Sequence, residues 1–254
     1  MIASLIFFPT KEYSALPTDY GLAYEEVRVK TSDNIELTGW FLPATSSSKA
    51  LYFLHGNAGN ISDRLFKIKE WVSRGYSVFL LDYRSYGTSN GKITSEEDLY
   101  QDAKAGLKWL QEVRKMDSRN ILLYGESIGC ALVLELAQDT KENFLGIILE
   151  APFTSLSEVT KVHYPFVPTA ILGSFQFDNL RKISNVKIPT FIIHGEQDEI
   201  CPFWMGEALF KKLTVSQKEL FNIPNGMHNN LTDVAGSKFY DRPIRFIKNC
   251  HPEA

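Results

Sequence analysis

The feature that most constrains this chain is a change of texture between residues 121 and 138. A short apolar run, Ile121-Leu122-Leu123-Tyr124, passes directly into Gly125-Glu126-Ser127-Ile128-Gly129 and then into a helix-like stretch at 130–138. A strand that feeds a helix with no loop between them must turn sharply. The small residues flanking Ser127 let backbones pass where side chains would collide, and the turn lifts the serine hydroxyl off the end of the sheet. The bare five-residue pattern recurs by chance in roughly one chain in ten of this size, so the order of strand, turn and helix around it carries the weight.

Apolar or alternating runs mark eight strands, at 24–30, 35–42, 51–55, 77–82, 121–124, 144–150, 190–194 and 218–223. The first two alternate polar with apolar and meet through Ser32-Asp33-Asn34, as an antiparallel hairpin at a sheet edge does. The later runs are almost wholly apolar, the pattern of strands covered on both faces. Helical periodicity falls between them at 63–73, 96–113, 128–138, 204–213 and 234–249, so strands and helices alternate as right-handed βαβ units require. The expected fold is therefore α/β, an eight-stranded, mostly parallel sheet flanked by helices, in a single domain over 1–254. With 254 residues and 44% hydrophobic content, one large core needs neither disulfide nor metal.

The alternation fails between Glu150 and Pro189, where Pro152, Pro165 and Pro168 accompany Phe153, Tyr164, Phe166, Phe175 and Phe177. One reading is a small aromatic cap insertion, at about 152–187, over the sheet's carboxyl edge; the other is an extra pair of core-covering helices. Thr45-Ser46-Ser47-Ser48 reads as a surface hairpin loop.

A net charge of −3 offers no basic stripe for a phosphate backbone, which excludes nucleic acid as an expected partner. Three cysteines, Cys130, Cys201 and Cys250, form neither an even set nor a CxxC, which fits a reducing, cytoplasmic compartment and argues against a zinc site. The N-terminal stretch from Met1 to Pro9 is apolar but well short of the roughly 20 residues a membrane span needs. It reads either as a segment docked on the domain or as a shallow contact with a membrane surface.

A serine hydroxyl is a poor nucleophile near neutral pH and needs an imidazole base, itself oriented by an acid. Of the five histidines, His228 lies in a loop between the last strand and the last helix, a carboxyl-edge position. His55 and His194 end strands in His-Gly turns where a structural hydrogen bond is commoner, His163 falls in the cap region, and His251 lies beyond the final helix. Asp198, after the seventh strand, gives the chain order Ser, Asp, His. Glu150, at the end of the sixth strand, is its rival, and Glu199 points elsewhere if Asp198 points inward. Two backbone N–H donors are also needed for the oxygen that becomes negative, and Ile128 N–H and Asn57 N–H are the candidates. The glycine-rich turn around Asn57 lacks the spacing of a nucleotide-phosphate loop.

His55-Gly56-Asn57-Ala58-Gly59-Asn60, Asp82-Tyr83-Arg84-Ser85-Tyr86-Gly87-Thr88-Ser89, Gly125-Glu126-Ser127-Ile128-Gly129, Pro152-Phe153-Thr154-Ser155, His194-Gly195-Glu196-Gln197-Asp198 and Gly226-Met227-His228-Asn229 occur in this order. Together they resemble the Bem46-like group of the α/β-hydrolase superfamily, over nearly the whole chain. The resemblance implies the α/β-hydrolase fold, a Ser127, Asp198 and His228 triad, and ester or thioester substrates, since relatives include serine esterases and protein depalmitoylases. The chain departs from the group at Ser85, where relatives usually have glycine, and it lacks the long N-terminal anchor of many relatives.

The expectation is a serine hydrolase working through an acyl-enzyme without cofactor or metal, with a shallow substrate pocket of Phe153, Tyr164, Phe166 and Phe203. A serine peptidase and a non-catalytic binding module on the same fold are the alternatives.

Overall fold

The computed structural model of the protein describes residues 3–45, 48–138 and 142–252. Eight strands form one sheet: β1 (Glu25–Lys30), β2 (Glu36–Leu42), β3 (Ala50–Leu54), β4 (Ser77–Leu81), β5 (Ile121–Glu126), β6 (Gly146–Glu150), β7 (Thr190–Gly195) and β8 (Lys218–Ile223). Their spatial order is β8-β7-β6-β5-β3-β4-β2-β1. The β1–β2 and β2–β4 pairs are antiparallel and all others parallel, so the polar-alternating hairpin does sit at one edge. The chain leaves β3 for β4 on one side and returns to place β5 on the other. That reversal opens a crevice at the carboxyl ends of β3 and β5, where open α/β sheets bind ligands.

The helices follow from the same alternation: α1 (Leu65–Ser73), α2 (Glu96–Glu112), α3 (Gly129–Ala137), α4 (Leu156–His163), α5 (Phe203–Lys212) and α6 (Lys238–Cys250). Successive strand residues face opposite layers. Tyr52, Leu54, Phe79, Leu81, Leu123 and Leu149 join the core under α2, α3 and α5, whereas Leu51, Phe53, Val78, Leu122, Tyr124 and Ile148 join the core under α1 and α6. This is why the central runs carry no polar alternation.

One stretch differs from expectation and another divides between its two readings. The continuous helix over 234–249 is broken into Leu231–Ala235 and α6, because Gly236 takes φ 55° and ends the first turn. In the region 152–187, α4 is capped by Ser155 Oγ, which accepts Glu158 N–H at 3.2 Å, and a short helix Asn179–Ile183 follows. Its aromatics divide: Phe153, Phe175 and Phe177 are buried in the core, while Tyr164 is 64% and Phe166 97% exposed. Ser46 and Ser47 of the expected hairpin loop lie outside the described residues, as do Met1 and Ile2.

The N-terminal segment docks on the domain. Phe7 inserts edge-on against Phe175 and Phe177, and Phe8–Pro9 pair in parallel with Ala58–Gly59 in the loop after β3. Leu5 and Phe8 keep 69% and 59% of their surface exposed. No described helix is long and apolar enough to cross a membrane.

Candidate active site

The turn between β5 and α3 holds Ser127 at φ 52°, a left-handed conformation that costs a non-glycine residue about 1–2 kcal/mol. The flanking glycines make it buildable. A Cβ on Gly125 would come within 2.6 Å of the Cys130 backbone, and one on Gly129 would overlap the Leu54 carbonyl. Ser127 N–H donates to the Glu150 carbonyl at 2.8 Å, which pins the strained turn to the neighbouring strand.

His228, in the loop after β8, reaches this serine, with Nε2 3.1 Å from Ser127 Oγ. Its Nδ1 lies 2.8 and 3.0 Å from the two carboxylate oxygens of Asp198, in the loop after β7. A carboxylate can only accept, so the proton belongs on Nδ1 and leaves Nε2 to take the serine hydroxyl's proton. Burial works against charge on His228, but the hydrogen bond and charge of Asp198 outweigh it and raise its pKa above 6.5. Burial likewise disfavours the Asp198 carboxylate, yet hydrogen bonds from His194 and His228 and from the Cys201 N–H hold its pKa well below the usual range.

The acid and base loops are tied together. Gln197 N–H donates to the Gly226 carbonyl at 2.9 Å, and Glu199 Oε2 accepts the His228 N–H at 3.1 Å. Glu199 thus does turn away from the imidazole, and it anchors the backbone that carries it. The rival acid, Glu150, is engaged elsewhere: Lys67 Nζ donates to both of its oxygens at 2.8 Å and the Tyr124 hydroxyl to one at 2.6 Å.

Among the described residues, neither Asn57 N–H nor Ile128 N–H is donated to a protein acceptor. The loop carrying Asn57 is braced by its carbonyls: Tyr83 OH donates to His55 O at 3.0 Å and Tyr86 OH to Asn57 O at 2.6 Å. The Asn57 side chain donates to Ile6 O at 2.5 Å and accepts Phe8 N–H at 3.3 Å, so the docked N-terminal segment holds the loop from outside. Sequence reasoning did not single out Tyr83 and Tyr86. The signal lay in the Asp82–Ser89 segment, quoted only for its resemblance.

The four aromatics expected to line a pocket do not share one wall. Phe153 is consumed by the core, Tyr164 and Phe166 face solvent, and the Phe203 ring lies edge-on against His194 at 5.6 Å. A cavity of about 420 Å³ opens one residue further along, where Thr154, Ser155, Glu158, Gln176, Asp178 and Trp204 line it. Its wall mixes these polar side chains with Trp204, Leu180 and Ala208 in place of the four expected aromatics. Among the described residues, no group of three or more His, Cys, Asp or Glu side chains is arranged to hold a metal ion.

The family model described as the prolyl oligopeptidase family matches residues 63–252. An uncharacterised protein of Mycobacterium tuberculosis is 34% identical over 245 residues, covering 96% of this chain and 86% of that protein. Protein bem46 of Schizosaccharomyces pombe is 29% identical over 231 residues, covering 87% and 76%. Among solved structures, an esterase of Pyrococcus furiosus superposes with a TM-score of 0.81 at 22% identity, covering 96% of this chain and 97% of that one, a likeness of fold.

Proposed function

The chain belongs to the prolyl oligopeptidase family and to the Bem46-like α/β-hydrolases, and from that membership we propose that it is a serine hydrolase cleaving carboxylic esters or thioesters through an acyl-enzyme. The observation that carries the reading is the unbroken hydrogen-bond chain from Ser127 Oγ through His228 to Asp198, at 3.1 and 2.8 Å. Ser127 Oγ attacks the carbonyl carbon while its proton passes to His228 Nε2, and Asp198 stabilises the imidazolium that results. The carbonyl oxygen, now negative, takes the free N–H groups of Asn57 and Ile128, each worth about 3–4 kcal/mol to the transition state. His228 then protonates the departing alcohol or thiol, and water repeats the sequence to release the acid.

The matched family description favours a second reading, a serine peptidase, which uses the same groups and differs in the leaving amine. Both are tested together. A fluorophosphonate should label Ser127 and no other residue, and Ser127→Ala should abolish labelling while the protein stays folded. Rates over p-nitrophenyl esters and acyl thioesters from C2 to C16, beside a prolyl p-nitroanilide, then divide esterase, thioesterase and peptidase. Failure of the folded protein to label would leave a non-catalytic binding module.

A further inference from the structure

Beneath the Ser127 turn runs a line of buried charge that the proton relay does not use. Arg64, at the start of α1, donates from Nε and Nη2 to Glu126 Oε1 at 3.2 and 3.0 Å. Its Nη1 donates to the carbonyls of Ala58 and Asn60 at 2.6 and 3.2 Å. One planar group therefore grips both the loop that carries Asn57 and the residue next to Ser127. The chain continues inward. Lys67 Nζ donates to Glu126 Oε2 at 2.8 Å and to Glu150, whose carbonyl takes the Ser127 N–H. A Cβ on Gly56 would lie 2.7 Å from Glu126 Oε1 and 3.2 Å from Arg64 Nη2, so these charges pack directly against the loop.

Two cations and two anions leave the cluster neutral, and burial opposes all four charges. Stability is a weak reason for such a cluster, because desolvation commonly cancels the Coulombic gain. Geometry is a better one. Two N–H donors on different loops must converge on one oxygen, and a rigid planar guanidinium that donates to Glu126 Oε1 and to the Ala58 and Asn60 carbonyls at once fixes distances as a flexible ammonium cannot. We propose that Arg64, acting through Glu126, is the positioning residue that sets the separation of the Asn57 and Ile128 amides, without touching substrate. The inference rests on the acyl-transfer reading.

Arg64→Lys keeps the charge and loses the planar guanidinium. Rates of fluorophosphonate labelling at Ser127, kcat, KM and Tm should be measured for the wild type, Arg64→Lys, Glu126→Gln and the double variant. Arg64→Lys should lower kcat and the labelling rate about 10- to 100-fold with KM within about twofold, since an oxyanion contact acts in the transition state. Glu126→Gln should lose a similar factor, and the double variant no more than the worse single, as expected for one linked unit. Glu126→Gln should also move the acid limb of kcat/KM to lower pH, because Glu126 is among the charges that hold the His228 pKa up. Should Arg64→Lys fail to fold, Glu126→Gln decides by the same measurements. A folded variant of lowered Tm with wild-type kcat and labelling rate, or fully additive losses, overturns this inference alone. A wild type that does not label overturns the acyl-transfer reading and takes this inference with it.

Discussion

Two histidine–aspartate pairs stand at the carboxyl edge of the same sheet and have opposite characters. At the end of β3, His55 is fully buried and stacked on Tyr83 at 4.2 Å. Its Nδ1 is 2.8 Å from the Gly56 carbonyl, and its Nε2 is 3.8 Å from Asp82 with no hydrogen bond. At the ends of β7 and β8, His228 bonds Asp198 at 2.8 Å and keeps its other nitrogen for Ser127. Burial dominates the first pair: helped by the Arg64 charge it pushes His55 down to about 3, and against hydrogen bonds from Ile61 N–H and the Tyr13 hydroxyl it pushes Asp82 up to about 7, so both favour neutrality. In the second pair, directed hydrogen bonds overcome burial and favour charge on both partners. The contrast teaches that an imidazole beside a carboxylate is placed to act as a base only when the carboxylate is aimed at one nitrogen and the other is left open.

The largest expected effect breaks the comparison at its histidines. On the proposed mechanism, His228→Ala should lower kcat by about 10⁶-fold, the scale set by loss of the histidine base in a serine protease triad. His55→Asn should cost mainly stability, about 1–3 kcal/mol from lost stacking, with a far smaller change in kcat. Equal losses of kcat in two folded variants would erase the distinction.

The aspartates come next. Asp198→Asn should reduce kcat about 10⁴-fold by favouring the wrong imidazole tautomer, whereas Asp82→Asn should leave most of the rate. Steady-state kinetics on both variants, with circular dichroism to verify folding, rank them.

The pH dependence sharpens the contrast in sign. Because the base must be neutral, kcat/KM should fall as pH drops through a value above 6.5 set by His228. For stability, the raised His228 pKa gives a contribution fully present below the unfolded value and lost as pH rises through the folded one. The lowered Asp198 pKa gives a contribution present above 3.8 and lost as pH falls toward its folded value. Asp82 runs the other way: its contribution is present below 3.8 and lost as pH rises through about 7. Melting curves from pH 4 to 8 should show Asp82→Asn losing that decline while retaining the wild-type acid limb of activity.

The smallest effect belongs to the loop after β4. Ser85 sits at φ 75°, where glycine is at ease, yet its Oγ accepts the Ile93 N–H at 3.1 Å. Ser85→Gly relieves about 1–2 kcal/mol of strain and gives up about 1 kcal/mol of hydrogen bond, so Tm should rise by only a few degrees at most. A fall in Tm would mean that the hydroxyl matters more than the backbone.

Strands were the most legible part of the molecule, because a run such as 190–194 with no polar break can only be buried on two sides. The antiparallel hairpin was equally readable from its alternation. The break at Gly236 was not, since an isolated glycine inside a helical pattern is tolerated more often than it terminates. Helix α4 was hidden by its Val and Thr content and by Pro165 beyond it, and a single capping serine decides it. For the site, the order of Ser127, Asp198 and His228 along the chain was enough to name residues the fold brings into contact. The pocket was not legible. Whether Phe153 turns inward or toward a ligand depends on a core assembled from residues distant in the chain, which no local pattern encodes.

The docked N-terminal segment has a consequence for the timing of folding. Phe7 rests on Phe175 and Phe177, contacts separated by about 170 positions along the chain, and Phe8–Pro9 lie beside the loop that carries Asn57. During synthesis that segment emerges long before Phe175 and Phe177 and must wait for them before it can settle, and closing so long a loop is slow. The bulk of the sheet can therefore assemble while the loop that carries Asn57 is still unbraced from outside. Recovery of the native core on refolding should then precede recovery of full chemical competence, with the docking of residues 6–9 setting the lag.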